Sequence, residues 1–144
     1  MKKLLLAFAL AAVAGGCAKD EKKAGAAEKK APELPTVSVT ELDGLLAKGA
    51  CTPVDANGEA TRKKRGVIPG AVTLSDYETY AASELPADKA RPLVFYCANE
   101  QCGASHTAAE KAMLAGYQDV RVLPAGILGW VAAGKPVSGV EPGA

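Results

Sequence analysis

Hydrophobic and polar positions divide the chain into stretches of different character. Positions 4–13 are almost all apolar, and 18–35 carry Ala, Lys and Glu with a single large apolar side chain, Leu34. Beyond that, short apolar runs alternate with mixed segments. In this part, residues 36–39 read as a β-prone run, and Thr40 is placed to cap a helix through 41–46 that stops at Gly49. Thr52-Pro53-Val54-Asp55 is an apolar strand ending on a carboxylate, Asn57-Gly58 a turn, and 59–64 a short charged helix or loop. Residues 67–74 read as a turn with a short strand, and 75–82 as a helix broken at Leu85-Pro86. Leu93-Val94-Phe95-Tyr96 is the clearest strand and 105–115 the clearest helix, with Gly116 at its C-terminal cap. Residues 119–123 form a further strand, and 127–133 a last helix with the only tryptophan, Trp130. Alternation of strand and helix with short connections predicts a parallel sheet covered on both faces. Reactive groups in such sheets gather at the carboxyl ends of the strands. Asp55 and Cys97 each close a strand, so this architecture brings both to one edge.

The run 93–96 delivers Cys97 into a small polar loop, Ala98-Asn99-Glu100-Gln101-Cys102-Gly103-Ala104-Ser105, just before a helix. Backbone N–H groups and a partial positive charge at a helix start favour an anion. A thiol pKa near 8.5 falls to roughly 3.5–7.5 in such settings. The Cys97 thiolate is therefore expected to be favoured, which makes Cys97 a nucleophile.

The composition narrows the remaining possibilities. Formal net charge is +1 and aromatics make up 5% of the 144 residues, which supplies neither a basic surface nor a stacking platform for nucleic acid. Met1-Lys2-Lys3, the apolar stretch and Ala14-Gly15-Gly16 have the three parts of an export signal over residues 1–16. Its apolar core is shorter than the roughly 18–20 residues that span a bilayer. Val13-Ala14-Gly15-Gly16-Cys17 resembles the lipobox of bacterial lipoproteins, in which the cysteine is acylated and becomes the new N-terminus. Ala14 departs from the usual Leu, Val or Ile. The resemblance implies a lipid on Cys17 and a membrane anchor in the cell envelope; Ala18, in place of Asp, favours the outer membrane facing the periplasm. Residues 17–35 then serve as a flexible tether, because so polar a segment cannot offset its ordering entropy. Residues 36–140 make one modest domain, expected to be monomeric, and 141–144 a tail.

Landmarks along the domain resemble a rhodanese-like domain. Val54-Asp55 resembles its Asp-ended second strand, Arg65-Gly66-Val67-Ile68-Pro69-Gly70-Ala71 its Gly-His-Ile-Pro-Gly-Ala signature, and Val94-Phe95-Tyr96-Cys97 the strand that ends on the catalytic cysteine. Ser105-His106-Thr107-Ala108-Ala109 resembles its Ser-x-x-Ala-Ala helix start, and Ala115-Gly116-Tyr117-Gln118-Asp119-Val120 its helix exit. Gly126-Ile127-Leu128-Gly129-Trp130, followed by Ala133-Gly134-Lys135-Pro136, resembles its Gly-Gly-Ile-x-x-Trp…Ala-Gly-x-Pro finish. The resemblance implies a three-layer α/β/α fold with a central, mostly parallel sheet of about five strands. It also implies sulfur transfer without a cofactor: Cys97 accepts a sulfane sulfur from a small donor as a persulfide and yields it to a thiol acceptor. Small residues such as Ala98, Gly103 and Ala104 let backbone N–H donors approach that anion.

The chain departs from the family pattern in its charges. Ser105 stands eight positions after Cys97, no arginine lies between them, and Glu100 adds a negative charge. Asp55-Ala56-Asn57 replaces the family's Asp-x-Arg, and Gly66-Val67 its Gly-His. Related cysteine phosphatases and arsenate reductases use Cys-x5-Arg to grip a doubly charged oxyanion. Gly103 occupies that arginine's position, which argues against their chemistry.

Cys102 leaves three readings open. It is a bystander to a persulfide on Cys97, a resolving partner in a dithiol/disulfide redox pair, or half of a fixed bridge in a non-catalytic binding module. No metal site is expected, because His106 is the only imidazole available to join the two cysteines. His106 is either a solvent-facing residue or a local proton source supporting the thiols. Asp55 is expected to bond loop N–H groups and fix local geometry; Cys51, Tyr117 and Trp130 are expected in the core.

Overall fold

A computed structural model describes residues 33–139. The export signal, Cys17 and the tether as far as residue 32, together with residues 140–144, lie outside the described residues. None of the described helices is long and apolar enough to cross a membrane.

The chain enters through helix α1 (Val39–Ala47), whose cap is Ser38 rather than Thr40. The Ser38 hydroxyl accepts the Glu41 N–H at 3.2 Å, and the Glu41 carboxylate accepts the Ser38 N–H at 2.7 Å. This reciprocal pair satisfies two donors at once, whereas Asp43, three residues after Thr40, turns its carboxylate to Lys135. Strand β1 (Thr52–Asp55), helix α2 (Glu59–Arg65) and the two-residue strand β2 (Val72–Thr73) follow. Strand β3 (Leu93–Tyr96), helix α3 (Ala104–Leu114), strand β4 (Val120–Leu123) and helix α4 (Gly126–Ala132) complete the described domain.

The helix expected over 75–82 does not form. The Asp76 carboxylate accepts the N–H groups of Glu78 and Thr79 and the Thr79 hydroxyl, while the Glu84 carboxylate accepts from Ser75 and Ala81. Side chains that take over backbone donors compete with a helical ladder. Only a 3-10 turn, Ala82–Glu84, remains.

The four strands run parallel in the order β2-β1-β3-β4, with Asp55 in register with Tyr96 and Tyr96 with Leu123. Thr36 adds a single parallel bridge to Val122, so the expected fifth strand is reduced to one contact at the β4 edge. Pro53 lies in a central strand without leaving a bond unmade. The N–H groups of Thr52 and Ala56 point to the β3 side, which turns position 53 to the β2 side, where pairing begins only at Val54.

Every residue of β3 is buried, and alternate side chains serve opposite layers. Leu93 and Phe95 pack with Ala108, Ala109 and Ala112 of α3. Val94 and Tyr96 pack with Leu42 of α1 and with Ile127 and Trp130 of α4. The fold is thus the three-layer α/β/α arrangement, with the sheet's carboxyl edge carrying Asp55 and Cys97.

Replacing Ser38 with Ala is expected to lower stability by about 1 kcal/mol, read as a lower urea midpoint at unchanged slope. Its backbone and hydroxyl bonds hold the Glu41 carboxyl below its usual range. Glu41 therefore stabilises the fold above the ordinary carboxylate range and ceases to do so as pH falls through its lowered value. The gap between the two proteins should shrink on acidification.

Candidate functional site

Asp55 sits at the end of β1 with no exposed surface. Its carboxylate accepts the Asn57 N–H at 2.6 Å and the Tyr96 hydroxyl at 2.8 Å. The Arg62 Nε lies 3.4 Å from the same carboxylate, and Arg62 Nη2 donates to the carbonyls of Asp55 and Leu74. The Tyr96 hydroxyl in turn accepts the Ile68 N–H at 3.0 Å. One carboxylate therefore joins β1, β3, α2 and the turn before β2. Burial, followed by the neighbouring Asp55 charge, pushes the Tyr96 phenol far above its ordinary range. Tyr96 therefore keeps its proton at neutral pH and donates it to Asp55.

Cys97 continues directly from Tyr96, and its sulfur lies inside the loop rather than at the surface: the residue is 1% exposed. Two carbonyls at the start of this loop are tied to α4. Ile127 N–H donates to the Cys97 carbonyl at 2.8 Å and Leu128 N–H to the Ala98 carbonyl at 3.0 Å. Gly126 makes this approach possible, with φ +59° and no side chain; a Cβ there would stand 2.6 Å from the Cys97 and Ala98 carbonyl oxygens. Asn99 turns the chain back, its side chain accepting the Gln101 N–H and its carbonyl the Cys102 N–H. Glu100, Gln101 and Gly103 are exposed, Ala98, Asn99, Cys102 and Ala104 are half-buried, and Ser105 is buried.

Helix α3 has no side-chain cap from Gly103. The Cys97 Sγ lies 3.3 Å from Ser105 Oγ and 3.0 Å from the Cys102 carbonyl oxygen, to which it donates. Both cysteines are free thiols, with no bond between them.

This arrangement reverses the expected acidity. Burial pushes the Cys97 thiol up, its bond to Cys102 adds to that, and Ser105 offsets only part of it. At Cys102 burial also opposes ionisation, but the Cys97 thiol and the N–H groups of Ala98 and Ala104 outweigh it and lower the pKa. The helix start does favour a thiolate, as expected, but on the second cysteine of the loop.

Other candidate residues lie apart from the thiols. His106 is exposed on the first turn of α3, and no side-chain bond joins it to either sulfur. Cys51 is buried at the opposite end of β1, where burial raises its pKa. Lys64 and Arg65 of α2, with Ala98 and Leu128, line an open cavity of about 290 Å³. Asn99, Glu100 and Gln101 line another, of about 480 Å³, against α4. Neither cavity is lined by a thiol.

Three participants were missed by sequence reasoning. Tyr96 looks like one more core aromatic, Arg62 is lost in the basic run of α2, and Gly126 registers only as part of a family motif. The spacing from Asp55 to Arg62, a tight turn followed by one turn of helix, is the one local signal that pairs any of them with the site.

Iodoacetamide at neutral pH is expected to label Cys102 roughly tenfold faster than Cys97 in the reduced protein, by peptide mass mapping. Because Cys97 ionises only at higher pH, raising the pH should narrow that difference. Gly126→Ala is expected to cost about 1–3 kcal/mol in denaturant unfolding and to loosen the loop.

The rhodanese-like domain family model matches residues 38–133. Among solved structures, a Bacillus halodurans protein aligns with a TM-score of 0.64 at 22% identity, over 73% of this chain and 77% of its own. The rhodanese-like domain of an Anabaena protein aligns at 0.61 with 27% identity, over 76% and 83%. A human single-domain sulfurtransferase aligns at 0.55 with 27% identity, over 68% of this chain and 96% of its own. No curated protein sequence matches the chain. With the family model matching well over half of the chain, on a fold that ends its central strand on a cysteine, the protein belongs to the rhodanese-like domain family.

Proposed function

We propose that the domain is a sulfurtransferase in which Cys97 takes up a sulfane sulfur as a persulfide. The observation that carries this reading is the position of the Cys97 sulfur at the end of β3, with the Ser105 hydroxyl and N–H directed at it. As Cys97 attacks, its proton is released to solvent. With thiosulfate, the Cys97 sulfur bonds to the terminal sulfur, the S–S bond of the donor breaks, and sulfite leaves with the bonding pair. An acceptor thiol then removes the outer sulfur. The human relative named as a single-domain sulfurtransferase supports the same assignment. Lys64 and Arg65, beside Ala98, supply the positive charge that the loop itself lacks for an anionic donor. In the same reading, a lipid on Cys17 holds the activity at the cell envelope.

Two free thiols on one loop, with the Cys97 sulfur 3.0 Å from the Cys102 carbonyl oxygen, favour a second reading, a dithiol/disulfide redox pair on the same fold. Phosphoryl transfer is disfavoured, since Gly103 stands where the loop arginine would grip an oxyanion.

After exposure of the reduced protein to thiosulfate or a small persulfide, intact-mass measurement of the Cys102→Ser form should show about 32 Da added. The Cys97→Ser form should add nothing. Absence of any adduct from both donors would remove the transferase reading.

A further inference from the structure

Of the side chains facing the Cys97 sulfur, Ser105 is the one placed to donate to it, at 3.3 Å. The sulfur also faces the Cys102 carbonyl oxygen at 3.0 Å and the Asn99 carbonyl oxygen at 4.0 Å, both of which repel an anion. Residues 98–105 contain no lysine or arginine. The residue whose carbonyl meets the Cys97 sulfur carries the second free thiol of the loop, and its pKa is lowered.

The loop is also anchored unevenly. The Cys97 and Ala98 carbonyls are fixed to α4, whereas Cys102 stands between exposed Gln101 and exposed Gly103. An adjustment on the Cys102 side that brings the two sulfurs into bonding distance leaves both bonds to α4 in place.

We propose that Cys102 resolves the Cys97 persulfide: its sulfur attacks Cys97 Sγ, a Cys97–Cys102 disulfide forms, and the outer sulfur leaves as hydrosulfide. The step rests on the reading that Cys97 receives the sulfane sulfur. Atoms and electrons balance. The bond between Cys97 Sγ and the outer sulfur breaks, and its electron pair leaves with the outer sulfur. The new S–S bond uses the Cys102 lone pair. Two cysteine sulfurs are oxidised together by two electrons, the sulfane sulfur is reduced to sulfide, and its proton leaves with it. The first turnover needs no external reductant; a further one takes two electrons and two protons from a dithiol reductant. Where no acceptor thiol intervenes, the domain thereby reduces sulfane sulfur rather than handing it on.

The test mixes the pre-reduced, desalted full chain with thiosulfate in the absence of thiols and cyanide. The wild-type protein is expected to release about one equivalent each of sulfite and sulfide, and to lose two thiols mapped by peptide mass to Cys97 and Cys102. Cys102→Ser and Cys102→Ala should keep the persulfide, about 32 Da heavier, and release sulfide roughly tenfold less. Wild-type protein that retains the persulfide and releases no sulfide would overturn the resolving role while leaving Cys97 as the acceptor. Equal sulfide release from the Cys102 variants would overturn it as well. If neither wild type nor variants take up sulfur from thiosulfate or glutathione persulfide, the acceptor reading fails and the resolving role falls with it.

Discussion

A carboxylate buried without water must be neutralised by its neighbours or it unfolds the chain around it. Removing one ion from solvent costs several kcal/mol even after relaxation. Asp55 meets that condition with a backbone N–H, a phenol and a guanidinium drawn from three different segments. The requirement runs in both directions: the carboxylate needs the segments, and the segments are held in place by it. Tyr96 is one of the three, and the next residue in the chain is Cys97. The position of the thiol is therefore set from below by an ionic contact and from behind by α4.

This dependence explains which parts of the molecule could be read from the residues. Strand β3 is apolar at every position and flanked by polar segments, so its bounds follow from pattern alone. The amino end of α3 is read within one residue, because small residues that approach the sheet repeat along one face. Where side chains replace backbone partners, pattern misleads. Residues 75–82 have helical composition, but Asp76 and Glu84 draw the local N–H groups into turns. Ser38 displaced Thr40 for the same kind of reason: a reciprocal partner three residues on outweighs nearness to the apolar run.

The acidity of the thiols was harder to read for a different reason. A helix start stabilises an anion only at the atom its N–H groups reach, and which sulfur that is depends on how 98–103 curls. Sequence order puts Cys97 first; in the folded loop burial raises its pKa, and it is the Cys102 pKa that is lowered. Counting residues between a cysteine and a helix does not distinguish the two cases.

The two bonds from α4 make the start of the loop part of the core: lifting Ala98 away would break one of them and drag on the helix that carries Ile127 and Trp130 inward. The far end rests on α3, where the Gly103 carbonyl accepts the N–H groups of His106 and Thr107. Residues 99–102 are the span between two piers, and a change of shape there leaves both standing.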